Sequence, residues 1–384
     1  MDVAIVAPCP IPYVIGGAEN LYRGLQDHIN EHTPHQAELI KLPSRELTFW
    51  ELLESYRRFA ELDLTGFDLV VSTKYPSWMI DHPRHVVYML HKLRGLYDTY
   101  HFLQLPDRHP TQADAVEALR AYMAEHAGEF AALGGFYERV EALRDAPGLP
   151  DDLFAFPGAF IRELLHWLDG VALVPGRIRR FGAISRTVAD RAGYFPPGVD
   201  VFVGHPPTGL PGLRPTKHGS YLFTASRLDN AKRVALLVEA MRHVTRDVEL
   251  RIAGSGPDAE SLRAAAAGDD RIKFLGRVSS EQLASGYAGS RAVAFIPYEE
   301  DYGYVTLEAM LCAKPVITAR DGGGTSELVT DGVTGVIAEP TAESLAAAID
   351  RLWADRRAAR RMGQAGRLRA ERVTWGAIVD QLVA

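Results

Sequence analysis

Apolar residues in this chain come in short blocks separated by helix-like stripes. Residues 3–7 (VAIVA) form an uninterrupted apolar run, the signature of a strand covered on both faces. A Pro/Gly loop follows, then a helix from about residue 18 whose buried stripe is marked by Leu21, Leu25 and Ile29 at a spacing of four. Further strands are expected at AELIKL (37–42), FDLVVST (67–73) and HVVYML (85–90). A mostly helical stretch is expected over about 111–168. FGAIS (181–185), a helix from Arg186 and the strand VFVGHP (201–206) close the first half.

The segment PPTGLPGLRPTKHG (206–219) is dense in proline and glycine and reads as a linker. Beyond it strand and helix patterns alternate. YLFTAS precedes a helix through Val244, VELRIA a helix from Asp258, and RIKFLG a helix from Ser279. RAVAFIP precedes a helix after Gly303, and PVITA is followed by helices to the end. Val234, Leu237, Val238, Met241 and Val244 trace one face of the first of these helices. This alternation predicts an α/β protein with parallel sheets covered by helices on both faces. Two halves around a linker predict two Rossmann-like domains facing a central cleft. Ligands then bind in loops just after strands.

Composition narrows the classes. The 384 residues exceed one ordinary core, and 47% apolar with 24% charged residues is typical of a globular protein. The 49 acidic against 42 basic residues, net −7, disfavour a nucleic-acid surface as the main function. Arg356, Arg357, Arg360, Arg361, Arg367 and Arg369 nevertheless cluster near the end, and suit either a peripheral contact with an anionic membrane or a solvated helix face. Two cysteines, Cys9 and Cys312, give no disulfide framework or thiolate metal site. With no signal-like start and no spanning run, a cytoplasmic location is expected, at most peripheral to the inner face of the membrane.

Five loops after strands carry candidate chemistry. Gly16-Gly17 opens a helix and allows a ligand to approach bare backbone N–H groups, or simply makes a turn. Arg227 and Lys232 follow YLFTAS and suit a diphosphate, with a solvated surface as the alternative. Gly254-x-Gly256, with Ala259, fits the relaxed dinucleotide fingerprint, and Arg277 after the next strand would suit a 2′-phosphate. That combination describes an NADP-dependent oxidoreductase, although Pro257, the position in the second half and the lack of a hydride-transfer acid count against it. Gly322 to Gly324 lie between a strand and a short helix, as a ligand loop or a turn. In PYEEDYGYVTLEAM, Glu300 and Glu308 flank Gly303 at the start of a helix, whose first amides suit an anion. Two carboxylates in such different environments fit hydroxyl recognition better than a shared proton.

Taken in order, SRLDNAKR, AGSGP, LGRV, EEDYGYVTLEAM and GGGTSELVTDGVTG resemble the retaining GT-B glycosyltransferases of family 4, the group 1 glycosyltransferases. The resemblance is strongest over residues 221–339. The first half matches through Gly16-Gly17, HVVYMLH and the approach to the linker. It implies a GT-B fold with an N-terminal acceptor-binding domain over 1–207, carrying the helical insertion at about 111–168. A nucleotide-sugar-binding domain would span 208–370, and a helix over 371–384 would pack back on the first domain.

The same resemblance assigns roles. Glu308 would hold the ribose hydroxyls and Glu300 would contact the donor sugar near the reaction centre. Arg227 and Lys232 would bind the diphosphate and take up leaving-group charge. Backbone near Gly254, Arg277 and Val278 would meet the nucleotide, that near Tyr302, Gly303, Tyr304 and Val305 the sugar and phosphate, and Gly16 and Gly17 the phosphates from the first domain. His91 resembles the active-site histidine. Arg233 stands where a glycine is common, Lys92 where an aspartate is frequent and Tyr302 where a phenylalanine is common.

These roles imply a retaining, metal-independent transfer from a nucleoside diphosphate sugar, UDP ahead of GDP by family frequency. The hydroxyl acceptor would be a sugar, a lipid-linked precursor or an aglycone in glycan, glycolipid or natural-product biosynthesis. No cofactor and no metal is expected. Glu300 is the only evident nucleophile, so attack from the face of the leaving phosphate is favoured over a covalent intermediate. A non-catalytic nucleotide-binding module of the same fold is the remaining alternative.

Overall fold

The apolar run at residues 3–7 lies inside the first strand, β1 (Asp2–Pro10), where all five side chains are completely buried. A strand with no exposed face belongs in the middle of a parallel sheet, and β1 pairs in parallel on both sides. The computed structural model describes every residue of the chain except 12, 14 and 15. Two units are present. One comprises Met1–Ile184, Val188–Gly204 and Val379–Ala384, the other Ser185–Thr187 and His205–Ile378.

The first unit contains β1, α1 (Gly17–His32), β2 (Gln36–Ser44), α2 (Phe49–Ala60), β3 (Leu69–Lys74) and β4 (His85–His91). It continues with α3 (Asp114–Glu125), α4 (Leu133–Arg144), α5 (Ala159–Ala172), β5 (Ile178–Ala183), α6 (Arg186–Asp190) and β6 (Val201–Val203), although the first residues of α6 group with the second unit. Its sheet runs β2-β1-β3-β4-β5-β6, and every pairing is parallel. Leu21, Leu25 and Ile29 of α1 are buried as their spacing requires. The stretch expected to be mostly helical is broken, since α4 ends at Arg144 and α5 begins only at Ala159. The intervening DAPGLPDDLFAFPG carries three prolines and two glycines, which a helix does not accommodate. Tyr56, Phe59 and Trp78 are fully buried, so these aromatics are core.

The second unit contains β7 (Tyr221–Ala225), α7 (Val234–Met241), β8 (Glu249–Ala253), α8 (Ala259–Ala265), β9 (Ile272–Gly276) and α9 (Ser280–Gly289). Then follow β10 (Ala292–Ala294), α10 (Tyr304–Leu311), β11 (Val316–Ala319), α11 (Gly324–Leu328), β12 (Gly335–Ala338), α12 (Ala342–Ala354) and α13 (Arg356–Ala370). The last helix, α14 (Trp375–Val383), has its final residues in the first unit, where Arg180 Nη1 donates to the Gln381 carbonyl at 2.9 Å. Two expectations fail at element ends. The helix after Lys232 stops at Met241 rather than Val244, and RAVAFIP yields a strand of only three residues. GVIA near residue 335 is a strand, not part of a helical tail, because it completes the sheet edge beside β11.

This second sheet runs β12-β11-β10-β7-β8-β9, again parallel throughout. From β7 the chain moves outward to β8 and β9, then returns to place β10 on the other side of β7. The order therefore reverses between β7 and β10, and ligands of open α/β sheets bind outside the carboxyl ends at that point. Among the described residues no helix is long and apolar enough to cross a membrane.

Candidate functional site

The loops after β7 and β10 carry Lys232 and Glu300, and the strand order brings them together. Lys232 Nζ donates to Glu300 Oε2 at 2.5 Å, with each side chain about one fifth exposed. Asp229 shapes the first loop. Its Oδ1 accepts from the Lys232 N–H at 3.2 Å, and its Oδ2 accepts from Arg227 Nε at 2.5 Å. The Arg227 side chain is 75% exposed, so its guanidinium stands in solvent beside the loop that carries Lys232.

Arg233 explains its own departure from the resembled pattern. Its φ is +51°, in the left-handed region where a glycine is unstrained. Its guanidinium forks onto Asp321, with both N–H···O distances at 2.7 Å, and lies over the Tyr298 ring at 4.9 Å. This side chain ties the loop after β7 to the loop after β11. Asp321 is a residue that sequence reasoning passed over, although it stands immediately before the three glycines.

Those glycines let two loops lie against each other. A Cβ on Gly323 would come within 2.5 Å of the Glu300 carbonyl oxygen, and one on Gly324 within 2.7 Å of the Asp301 carbonyl oxygen. Glu300 N–H donates to the Gly322 carbonyl at 3.2 Å and Gly324 N–H to the Glu300 carbonyl at 2.8 Å. The triple glycine therefore holds the backbone of Glu300. Gly254 and Gly256 act similarly on the loop after β7, since a Cβ on either would overlap the Ser226 or Leu228 carbonyl. The Gly254 N–H is itself committed to the Gly276 carbonyl at 2.8 Å.

The second glutamate sits deeper. Glu308, on α10, is 8% exposed, and its Oε1 accepts from Thr208 Oγ1 at 2.9 Å. Burial raises its carboxyl above the ordinary value, while Tyr287 and Thr208 favour the charged form. Gly303 precedes α10 with φ of +84°, and a Cβ there would strike Thr325 Cγ2. Tyr302 is 3% exposed and stacked on His205, with ring centroids 5.6 Å apart. Its buried hydroxyl has no partner among the described residues, an arrangement that costs stability and leaves a donor for a ligand. Tyr304 and Val305 begin α10 and are half-buried. Arg277 and Val278 follow β9, the arginine exposed and the valine half-buried.

Glu327 on α11 is a further residue that sequence reasoning missed. Its carboxylate accepts from the Arg186 and Thr187 N–H groups, from Thr187 Oγ1 and from His205 Nε2 at 2.5 to 3.2 Å. Burial opposes the charge, but these donors together hold its carboxyl below the ordinary range. Its place in TSEL was the available signal. The partners, far away in sequence, were not readable.

In the first unit, Gly16 and Gly17 are exposed at the start of α1, and a Cβ on Gly16 would meet nothing within 4 Å. His91 ends β4, with Nδ1 2.7 Å from the Lys92 carbonyl and its ring edge-on to Tyr75. Lys92 turns inward. It is 4% exposed, donates to the Gly193 carbonyl at 3.0 Å, and lies 3.6 Å from the buried Asp169 carboxylate.

Comparison with known proteins places this arrangement. Residues 213–369 match the model of the family described as Glycosyl transferases group 1. The D-inositol 3-phosphate glycosyltransferase of Arthrobacter sp. (strain FB24) is 30% identical over 199 residues, which cover 47% of this chain and 46% of that protein. The chain thus spans about half the length of the curated relatives it matches. Sucrose-phosphate synthase from Thermosynechococcus elongatus shares the fold with a TM-score of 0.68 at 18% identity, covering 100% of this chain and 97% of that one. Anabaena HepE, solved in complex with UDP and glucose, gives 0.62 at 15% identity, covering 100% and 98%. The two parallel Rossmann-like sheets are those of the GT-B fold, and residues 213–369 are similar to the group 1 glycosyltransferases.

Proposed function

We propose that the chain transfers a glycosyl group from a nucleoside diphosphate sugar to a hydroxyl acceptor, with retention at the anomeric carbon and without a metal. The observation that carries this reading is the contact between Lys232 and Glu300 at the switch point of the second sheet. It sets a cation for phosphate oxygens beside a carboxylate for sugar hydroxyls, in the crevice where this sheet type binds nucleotides.

Each residue then has a task. Lys232 and the exposed Arg227 take up charge on the departing diphosphate, as a point charge and a fork respectively. Two protein cations do there the charge work that a metal does elsewhere. Glu308 already accepts a hydroxyl from Thr208, and a ribose hydroxyl is the matching ligand. The Glu300 carboxylate lies nearest the reacting sugar and steadies the oxocarbenium-like transition state. Attack comes from the face of the leaving phosphate, whose oxygen accepts the acceptor proton. UDP is the expected donor nucleotide, ahead of GDP on family frequency, and His91 is the expected acceptor-side residue. The names of relatives such as the D-inositol 3-phosphate glycosyltransferase support transfer to a hydroxyl group.

The oxidoreductase alternative loses its main support, because Gly254 and Gly256 are explained by close packing on the loop after β7. The test is a donor screen in EDTA that follows release of nucleoside diphosphate and the anomeric configuration of product by NMR. Turnover in EDTA with an axial or equatorial configuration matching the donor supports the proposal. Dependence on added magnesium, or inversion, overturns it.

A further inference from the structure

The amino-terminal ends of the second sheet carry a separate concentration of charge. Lys217 and His218 precede β7, Lys314 precedes β11, and the first turns of α13 run beside them. In a parallel sheet these positions lie at the opposite ends of the strands from Lys232 and Glu300. A cavity of about 720 Å³ opens here, lined by Thr216, Lys217, His218, Arg356, Arg357 and Arg360, with no carboxylate among its lining residues.

Among the described residues none of Lys217, Lys314, Arg356, Arg357 and Arg360 has a carboxylate within 4.0 Å of its charged nitrogens. Asp355, at the start of α13, is occupied in capping and accepts from the Ala358 N–H at 2.8 Å. Lys314 is fully buried, with Nζ on the Thr216 carbonyl at 3.2 Å, and Arg356 donates to the His218 carbonyl. His218 is 8% exposed. Its Nε2 is engaged by the Ala313 carbonyl at 3.2 Å, and its buried Nδ1 has no partner among the described residues. The like charges register on one another. Burial first, then Lys314, Arg356 and Arg360, push His218 down to about 4, and burial pushes Lys314 down to about 8.

We propose that this cavity is a second anion site that binds a phosphate group. Arg357 and Arg360 fork onto its oxygens, and Lys217 adds a point charge. Arginine pairs phosphate oxygens bidentately, and a phosphate monoester brings close to two negative charges at neutral pH. A dianion suits several cations that have no carboxylate within 4.0 Å among the described residues better than a single carboxylate does. Arg356 and Lys314, already bonded to backbone carbonyls, set the walls and the potential. This site does not depend on the donor-site reading.

Isothermal titration of the full chain with inorganic phosphate, at ionic strength held constant with chloride, tests it. The dissociation constant is expected to rise at least tenfold in R357A/R360A, and to recover in part in R357K/R360K. It should be unchanged in R23A/R179A, which removes two exposed arginines elsewhere. Phosphate binding that survives R357A/R360A overturns the proposal, as does binding lost only in R227A/K232A, which would assign the phosphate to the donor site. Vesicles distinguish the source of the group. Flotation with phosphatidate vesicles, but not phosphatidylcholine, that R357A/R360A abolishes supports a lipid headgroup. No flotation, with soluble phosphate still bound, supports a soluble phosphate compound.

Discussion

Lys232 Nζ donates to Glu300 Oε2 at 2.5 Å, joining the loops on either side of the switch point in the second sheet. The pair is about one fifth exposed, so it is screened by solvent and adds little to stability. Its value lies in position. Lys232→Ala should lower turnover by roughly two to three powers of ten, as expected for loss of a group that stabilises leaving-group charge. Its urea midpoint should stay near that of the parent. Steady-state kinetics and one denaturation curve check both halves, and near-normal turnover would remove Lys232 from the reaction.

Arg233 and Asp321 give a prediction with an ordering. Arg233→Ala keeps the left-handed backbone, which costs a non-glycine residue about 1–2 kcal/mol, and loses the fork onto Asp321. Arg233→Gly loses the fork but relieves the backbone. The glycine variant should therefore be the more stable of the two by about 1 kcal/mol, measured by urea unfolding. An alanine variant as stable as the glycine variant would mean that the strain is absent.

The fold and its strands were legible in the sequence because buried parallel strands must be apolar at every position, as in residues 3–7, 69–71 and 292–294. Post-strand loops were legible for the same reason, since they follow those runs. Partnerships were not. Nothing local tells Arg233 that Asp321 lies across the sheet, or Glu327 that Thr187 and His205 surround it. Glycine was read as access for a ligand, whereas Gly254, Gly323 and Gly324 are required by backbone approaching backbone. The short strand β12 fell below what periodicity can distinguish from a flanking loop.

Gly323→Ala follows from that last point. With φ of +62° and a Cβ only 2.5 Å from the Glu300 carbonyl oxygen, the side chain has no room. The variant should lose roughly 2–4 kcal/mol of stability, and the surviving folded fraction should have low turnover because Glu300 is displaced. Thermal unfolding and activity per folded molecule separate the two effects.

Glu308 and Glu327 should respond oppositely to pH. The Glu308 carboxyl is raised, so the folded state holds its proton above the unfolded value, and stability falls as pH rises from that value through the raised one. Glu327 is lowered, so its contribution is present above the unfolded value and is lost as pH falls through the depressed one. Relative to the parent, Glu308→Gln should gain stability as pH rises from about 4, whereas the deficit of Glu327→Gln should narrow as pH falls below about 4. Urea midpoints at a series of pH values check the signs, and parallel curves for both variants would refute them.

The nucleotide site is tested most directly by isothermal titration of the full chain with UDP, GDP, ADP, TDP and NADP, repeated on Glu308→Gln. The expected result is binding of a nucleoside diphosphate, UDP before GDP, that weakens at least tenfold in the variant because its buried carboxylate no longer accepts the ribose hydroxyls. Binding of NADP with none of the diphosphates, or diphosphate binding indifferent to Glu308→Gln, would contradict a nucleotide-sugar donor whose ribose is held by Glu308.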